Sequence, residues 1–97
     1  MTRLDAIAEL KRHASALQRM GASSLYLFGS TLRGTGDAKD LDLFIDYDVR
    51  SRFNAFDLVG IKHYLEDRLR VPVDLTTRDG LHPQLKSEIE QNAVRVF

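Results

Sequence analysis

The sequence predicts an α+β fold, a small mixed β-sheet with helices packed on it. Two long segments carry apolar residues at helical spacing, and between them lie short apolar runs bounded by Gly, Ser, Asn or Pro. The chain has 97 residues, so residues 1–97 are expected to form a single domain. The predicted order of elements is α, β, β, α, β, α, β.

The first helix and strand are predicted from the N-terminal part of the chain. Residues 3–20 carry apolar side chains mostly three or four positions apart, which predicts an amphipathic helix. Thr2 and Asp5 form a capping-box pattern at its start, and Gly21 is a typical helix stop. The apolar run at 25–29, LYLFG, then predicts a buried strand.

The remaining elements follow from the same two periodicities. They are a strand at 41–47, a helix at 53–69, a strand at 71–77, a helix that begins near Pro83, and a short strand at 93–97. Pro72 lies near the start of the third strand, where a residue without an amide hydrogen suits an edge or a first position.

The composition narrows the classes of function. Fourteen basic and fourteen acidic residues cancel, so no net charge draws the protein to nucleic acid or to anionic lipid, and neither is an expected partner. The absence of cysteine excludes disulfides and thiolate metal sites and suits the cytoplasm, where we expect the protein to be located. The N-terminus lacks the apolar core of a signal peptide, and no membrane span is expected.

Two carboxylates stand one residue apart at the start of the second strand. Side chains at i and i+2 of a strand point to the same face, so Asp40 and Asp42 are expected to project together. Two carboxylates about 4 Å apart repel by roughly 4 kcal/mol at an effective dielectric near 20. Protonation or a cation must offset this repulsion, and clustered Asp oxygens favour a hard ion such as Mg²⁺.

A third carboxylate, Asp74, lies within the apolar third strand. If this strand neighbours the second, Asp74 completes a three-carboxylate site with Asp40 and Asp42. Such a site could hold one or two Mg²⁺ ions that activate an attacking oxygen and stabilise a leaving phosphate.

The loop between the first two strands contains groups that suit a phosphate. Gly29 lets the backbone approach a ligand closely, and the amides that follow it can bind anions. Ser30 adds a hydroxyl donor, and Arg33 and Lys39 add cations. A nucleoside triphosphate bound with Mg²⁺, such as ATP, would use all of these groups.

Each feature also has a simpler interpretation. Gly29-Ser30 can be an ordinary turn, and Asp40 and Asp42 can be solvated residues of a strand face. Asp74 can be an edge-strand charge that prevents pairing between sheets. The joint pattern is more specific than its parts, because turn chemistry alone does not explain a strand, Gly-Ser, a D-x-D strand and a later strand with Asp.

The histidines are given no catalytic role. His13 and His63 are interpreted as exposed residues on helix faces, and His82 as a cap before Pro83.

Together these residues resemble the minimal nucleotidyltransferase (MNT) branch of the DNA polymerase β-like superfamily. The family signature is Gly-Ser, a spacer, D-x-D and a carboxylate on a later strand, and it matches Gly29-Ser30, Asp40-Leu41-Asp42 and Asp74. The resemblance covers nearly the whole chain. It implies the polymerase β-like nucleotidyltransferase fold, with Asp40 and Asp42 as metal ligands and Asp74 as the base for the attacking hydroxyl.

The resemblance also implies a function. Stand-alone MNT proteins are commonly antitoxins that transfer AMP from ATP to a tyrosine of a HEPN-type ribonuclease toxin, so a hetero-oligomer with such a toxin is expected. An alternative is a non-catalytic antitoxin or nucleotide-binding subunit that neutralises its partner by binding alone. The spacer between Ser30 and Asp40 favours this alternative, because it is slightly shorter than is usual in the family. A nucleotide-sugar transferase would leave Gly29-Ser30 unexplained.

Overall fold

The computed structural model describes residues 2–29 and 40–97 of the chain, which contain four α-helices and four β-strands. The helices are α1 (Arg3–Arg12), α2 (Ala14–Arg19), α3 (Ala55–Leu69) and α4 (Lys86–Asn92). The strands are β1 (Ser24–Phe28), β2 (Leu41–Asp46), β3 (Val73–Thr77) and β4 (Val94–Arg95), and a 3₁₀ turn at Arg78–Gly80 follows β3. The described elements follow the predicted order, except that two helices replace the first one. None of the helices described is long and apolar enough to cross a membrane.

The four strands form one mixed sheet in the order β3-β2-β1-β4, as the predicted fold class requires. β1 pairs antiparallel with both β2 and β4, whereas β2 and β3 run parallel. A parallel pair needs a crossover connection, and α3 supplies it between β2 and β3. β3 stands at one end of the strand order and is therefore an edge strand within the described sheet.

The segment predicted as one helix over residues 3–20 is two helices. A turn at His13 separates α1 from α2, and the imidazole Nδ1 lies 3.0 Å from the Tyr64 hydroxyl of α3. The two rings pack edge to face with centroids 5.5 Å apart. The expectation that His13 is an exposed residue is therefore wrong, since its ring packs against α3.

The predicted ends of this helical segment are confirmed. Thr2 and Asp5 exchange side-chain-to-backbone hydrogen bonds in a capping box. Gly21 has a φ of +116°, and the amide of Ala22 donates to the carbonyl of Leu17 at 3.0 Å. This bond, with the one from the Gly21 amide to Gln18, forms the Schellman motif that ends α2.

One side of the sheet packs against the helices and forms the main core. Alternate residues of the three longer strands point to this side and are buried; they are Leu25, Leu27, Leu41, Leu43, Ile45, Val73 and Leu75. The helices contribute Leu10, Leu17, Ile61 and Leu65, which have no exposed surface. Each fully buried Leu or Ile side chain contributes about 1.5–3 kcal/mol, so this side fixes which face of each strand is turned inward.

The other side of the sheet carries a stack of aromatic rings. Phe44 is fully buried there, with the Tyr26 ring stacked on it at 4.7 Å and the Phe28 ring tilted against it at 5.8 Å. The guanidinium of Arg78 lies 4.9 Å from the Tyr26 ring centre and 5.0 Å from that of Phe44. These contacts bury an aromatic residue on the side that the main helices leave uncovered.

Arg78 also connects three elements through its hydrogen bonds. It donates to both carboxylate oxygens of Asp46 at 2.7 and 2.9 Å, and to Glu90 of α4 at 2.6 Å. The hydroxyl of Ser24 donates to Asp46 as well, at 2.6 Å. We call Ser24, Asp46, Arg78 and Glu90 the Arg78 cluster. It ties α4 to the end of β2 that lies away from Asp42.

The Arg78 cluster perturbs the ionisation of its members. Hydrogen bonds from Arg78, and then from Ser24, lower the pKa of Asp46 against the opposing effect of partial burial. Asp46 and Glu90 in turn raise the pKa of Arg78, so the guanidinium stays charged at any accessible pH.

Asp46→Asn is expected to lower the free energy of unfolding at pH 7 by about 1–2 kcal/mol, since it removes a charged acceptor from a partly buried network. The folded-state pKa of Asp46 lies below the unfolded value of about 3.9. Its contribution is therefore present above that unfolded pKa and is lost as pH falls through the folded pKa. Urea unfolding between pH 7 and pH 2 measures the effect.

Asp48→Asn is the matched control, because Asp48 pairs with Arg50 in an exposed turn. Its urea midpoint is expected to stay close to that of the wild type. Equal midpoints for wild type and Asp46→Asn at pH 7 would contradict a stabilising role for the cluster.

Candidate active site

The predicted site residues fall into two groups. Gly29, Asp40, Asp42 and Asp74 lie in the described part of the chain. Ser30, Arg33 and Lys39, which are predicted to bind phosphates, lie outside the described residues.

Asp42 and Asp74 are direct partners in the parallel pairing of β2 with β3. Paired residues of neighbouring strands lie about 4.8 Å apart across the sheet and point to the same side, here the side opposite the main core. Asp42 is half-buried, and Asp74 is exposed on its edge strand. The prediction that these two strands are neighbours is confirmed.

The start of this strand pair is held by a backbone hydrogen bond. The amide of Leu41 donates to the carbonyl of Pro72 at 3.0 Å, so the proline occupies the position just before β3 that its missing amide hydrogen suits. Asp40 is an exposed residue in the bend directly before β2. All three predicted carboxylates therefore lie at the same end of the sheet.

The backbone of Gly29 packs closely against the side chain of Asp42. It follows β1, whose last residue, Phe28, is the antiparallel partner of Asp42. Gly29 has a φ of +82°, and a Cβ at this position would lie 2.9 Å from the Asp42 carboxyl carbon and closer still to one oxygen. Only glycine fits there without displacing the carboxylate.

The donor set suits a hard cation without forming a complete cage. In residues 2–29 and 40–97, no group of three or more His, Cys, Asp or Glu side chains is placed to hold a metal ion. Mg²⁺ is commonly held by one or two carboxylates together with water and phosphate oxygens, so Asp40 and Asp42 fit the ion when a nucleotide is present. The three-carboxylate metal site stays a prediction.

A cleft of about 660 Å³ opens at this end of the sheet. Gly29, Asp42 and Phe28 line it, together with Val94 of β4 and Arg3 of α1. Its volume lies within the range of about 300–1,000 Å³ that is usual for small-molecule sites. Gly29 and Asp42 therefore contribute to a cavity large enough for a nucleotide.

The last wall of the cleft comes from α4 and the residue before it, which the sequence analysis did not assign to the site. The lining residues are Leu85, Glu88, Ile89 and Asn92. Their spacing of three, one and three residues places them on one helix face, which is the signal that could have identified them. Arg3 was missed because a charged residue at the start of a helix gives no signal of its own.

A nucleotidyltransferase domain model matches residues 10–96, and the chain belongs to this family. The mixed sheet with helices packed on it is the polymerase β-like fold that the sequence predicted.

Three similar proteins specify the branch of the family. A Methanocaldococcus jannaschii protein named "putative protein adenylyltransferase" is 31% identical over 99% of this chain and 100% of its own. A solved structure described as a "putative minimal nucleotidyltransferase" has a TM-score of 0.79 and 29% identity, and covers 97% of this chain and 95% of that chain. A structure of a tri-AMPylated Shewanella oneidensis HEPN toxin in complex with MNT antitoxin has a TM-score of 0.65 at 16% identity, over 90% of this chain and 68% of that chain.

Gly29→Ala is expected to destabilise the protein by at least about 1 kcal/mol, because alanine is disfavoured at positive φ and its methyl group would collide with Asp42. The measurement is the free energy of unfolding in urea.

Gly60→Ala is the control. Gly60 lies within α3, and the nearest atom to an added Cβ is the Met20 methyl carbon at 4.0 Å. This substitution is expected to be neutral or to stabilise by roughly 0.5–1 kcal/mol. A Gly29→Ala variant as stable as wild type would show that Gly29 is not constrained by Asp42.

Proposed function

We propose that the protein is an antitoxin that transfers AMP from ATP to a tyrosine hydroxyl of a cognate HEPN ribonuclease toxin. The observation that carries the proposal is the pairing of Asp42 with Asp74, together with the close approach of Gly29 to Asp42 at the cleft that these last two residues line. The name of the archaeal relative supports protein adenylylation, and the neighbour solved with an AMPylated HEPN toxin supports the acceptor. A cytoplasmic location, where ATP and Mg²⁺ are available, belongs to the proposal.

In the proposed reaction, the tyrosine oxygen attacks the α-phosphorus of ATP. A bond forms between that oxygen and phosphorus, the bond between the α-phosphorus and the bridging oxygen to the β-phosphate breaks, and pyrophosphate leaves. Asp74 accepts the phenolic proton, a role that suits an exposed carboxylate next to Asp42. The closely packed backbone at Gly29, with Ser30, Arg33 and Lys39 after it, holds the triphosphate.

Asp40 and Asp42 are the proposed ligands of Mg²⁺. The ion, when bound, supplies the positive charge that neutralises the phosphates and offsets the repulsion among the carboxylates. Catalysis then rests on positioning and charge stabilisation, which is usual for transfers at phosphorus.

The second candidate function is neutralisation by binding alone. It is favoured by the short spacer between Ser30 and Asp40. In this case the same surface would cover the toxin without chemistry. The two candidates differ in whether an acidic residue of the site is required.

The purified protein, incubated with the toxin encoded beside it, ATP and Mg²⁺, is expected to increase the toxin mass by one or more AMP units. The increase should disappear when EDTA removes the cation and return with excess Mg²⁺. Intact-protein mass spectrometry measures both results, and an unchanged toxin mass in the complete mixture would contradict an adenylyltransferase.

Asp42→Asn separates the two candidate functions. In an enzyme it is expected to reduce transfer by at least about a hundredfold, which corresponds to about 2.7 kcal/mol of lost transition-state stabilisation. It should also abolish toxin neutralisation at substoichiometric protein. Full neutralisation by Asp42→Asn at a one-to-one ratio, without a mass increase, would favour binding alone. Asp48→Asn, in its exposed turn, serves as the control.

Asp74→Asn tests whether this carboxylate is a base or only a guard of the edge strand. If Asp74 is the base, the substitution should lower the transfer rate and leave the affinity for Mg²⁺-ATP nearly unchanged, and the variant should be as soluble as the wild type. If Asp74 only protects the edge strand, the variant should keep its transfer rate and self-associate through β3. Single-turnover kinetics and analytical ultracentrifugation distinguish these results.

A further inference from the structure

The apolar residues of the last helix are not used by the core. None of the residues of α4 is buried, and Leu85, directly before its first turn, is 49% exposed. Ile89 is only partly buried and is not among the residues that pack on the main core. Both side chains line the cleft instead. Folding alone therefore does not account for apolar residues at these two positions.

The helix that presents these side chains is fixed on the sheet. Glu90 of α4 accepts a hydrogen bond from Arg78 at 2.6 Å, and Arg78 is itself held by Asp46 and by the aromatic rings beneath it. The side-chain Nδ2 of Asn92 donates to the backbone carbonyl of Glu88 at 2.9 Å, across the last turn of the helix. The wall that contains Leu85 and Ile89 is thus held by an ion pair on one side and faces the cleft on the other.

Phe28 provides an aromatic surface within the same cleft. Its ring is supported by Phe44, with centroids 5.8 Å apart, and the residue is only partly buried. Phe28 is also adjacent to Gly29 and paired with Asp42. Phe28, Leu85 and Ile89 therefore supply apolar surface to the same cleft that Gly29 and Asp42 line.

We propose that Phe28, Leu85 and Ile89 form the binding site for the nucleobase of the nucleotide substrate. The inference rests on the proposed function, because it assumes that the phosphates lie at Gly29 and Asp42. An occupant must combine a metal-binding anionic end with a flat apolar end, and a nucleoside triphosphate has both. Stacking on an aromatic ring and apolar contact with a helix face accept any base and add affinity beyond that of the phosphates.

The test compares two ligands that share the triphosphate and differ in the nucleoside. Isothermal titration calorimetry measures the affinity of the protein for Mg²⁺ with AMP-PNP and for Mg²⁺ with inorganic tripolyphosphate. The wild type is expected to bind AMP-PNP at least about tenfold more tightly. Leu85→Ser should weaken AMP-PNP binding about fivefold or more and leave tripolyphosphate binding unchanged. Ile89→Ser should do the same. Leu85 is half-exposed, so its substitution is expected to disturb folding less than that of Ile89.

Phe56→Ser is the control, since Phe56 is an 88% exposed apolar residue of α3 that does not line the cleft. It should change neither affinity. Equal binding of the two ligands by wild type, or equal weakening of both by Leu85→Ser, would overturn the nucleobase site and leave the proposed transfer intact. If the wild type bound neither ligand, the proposed function would fail and the nucleobase site with it.

Discussion

The hydrogen-bonded register of β1, β2 and β3 is the constraint on which the site depends. It sets Phe28 opposite Asp42 and Asp42 opposite Asp74, so that a glycine, two carboxylates and an aromatic ring meet at one end of the sheet. A shift of one residue in β2 would turn Asp42 toward the core and expose the leucines beside it. Because Leu41 and Leu43 are completely buried, the core resists that shift.

The two sides of the sheet differ in composition. The helix-covered side supplies most of the hydrophobic stabilisation, whereas the other side carries the charged groups. On β2 the two ends of this side are treated differently: Asp46 is neutralised by Arg78, and Asp42 lies beside Asp74 against Gly29. The Arg78 cluster holds α4 in place above the same side.

Most of the fold could be predicted from the sequence because the spacing of apolar residues and the helix-capping residues were unambiguous. The alternation of apolar residues in β2 and β3, the helix stop at Gly21 and the position of Pro72 near the start of β3 identified these elements. The break at His13 could not be predicted, since helical spacing continues across it and the His13 ring contacts Tyr64, fifty-one residues away, only in the folded chain. Arg78 was missed for the same reason: its partners are brought together only by the fold.

The site was only partly predictable. Gly29, Asp42 and Asp74 are recognisable because their residue types are unusual next to apolar strands, and the structure brings these three together. The contribution of α4 was not predicted, because Leu85 and Ile89 look like core residues of a short helix. Only the position of α4 beside the cleft distinguishes the two interpretations.

The central claim is that a metal-bound nucleotide lies at Gly29, Asp42 and Asp74. Paramagnetic broadening by Mn²⁺, added with AMP-PNP to the isotope-labelled protein, tests it without requiring an acceptor. Assigned amide signals should be broadened most at Gly29, Asp42 and Asp74, with the effect declining along β2 toward Asp46. Strongest broadening at another acidic surface, such as the turn at Asp48, or weak broadening spread over the whole chain would contradict the claim.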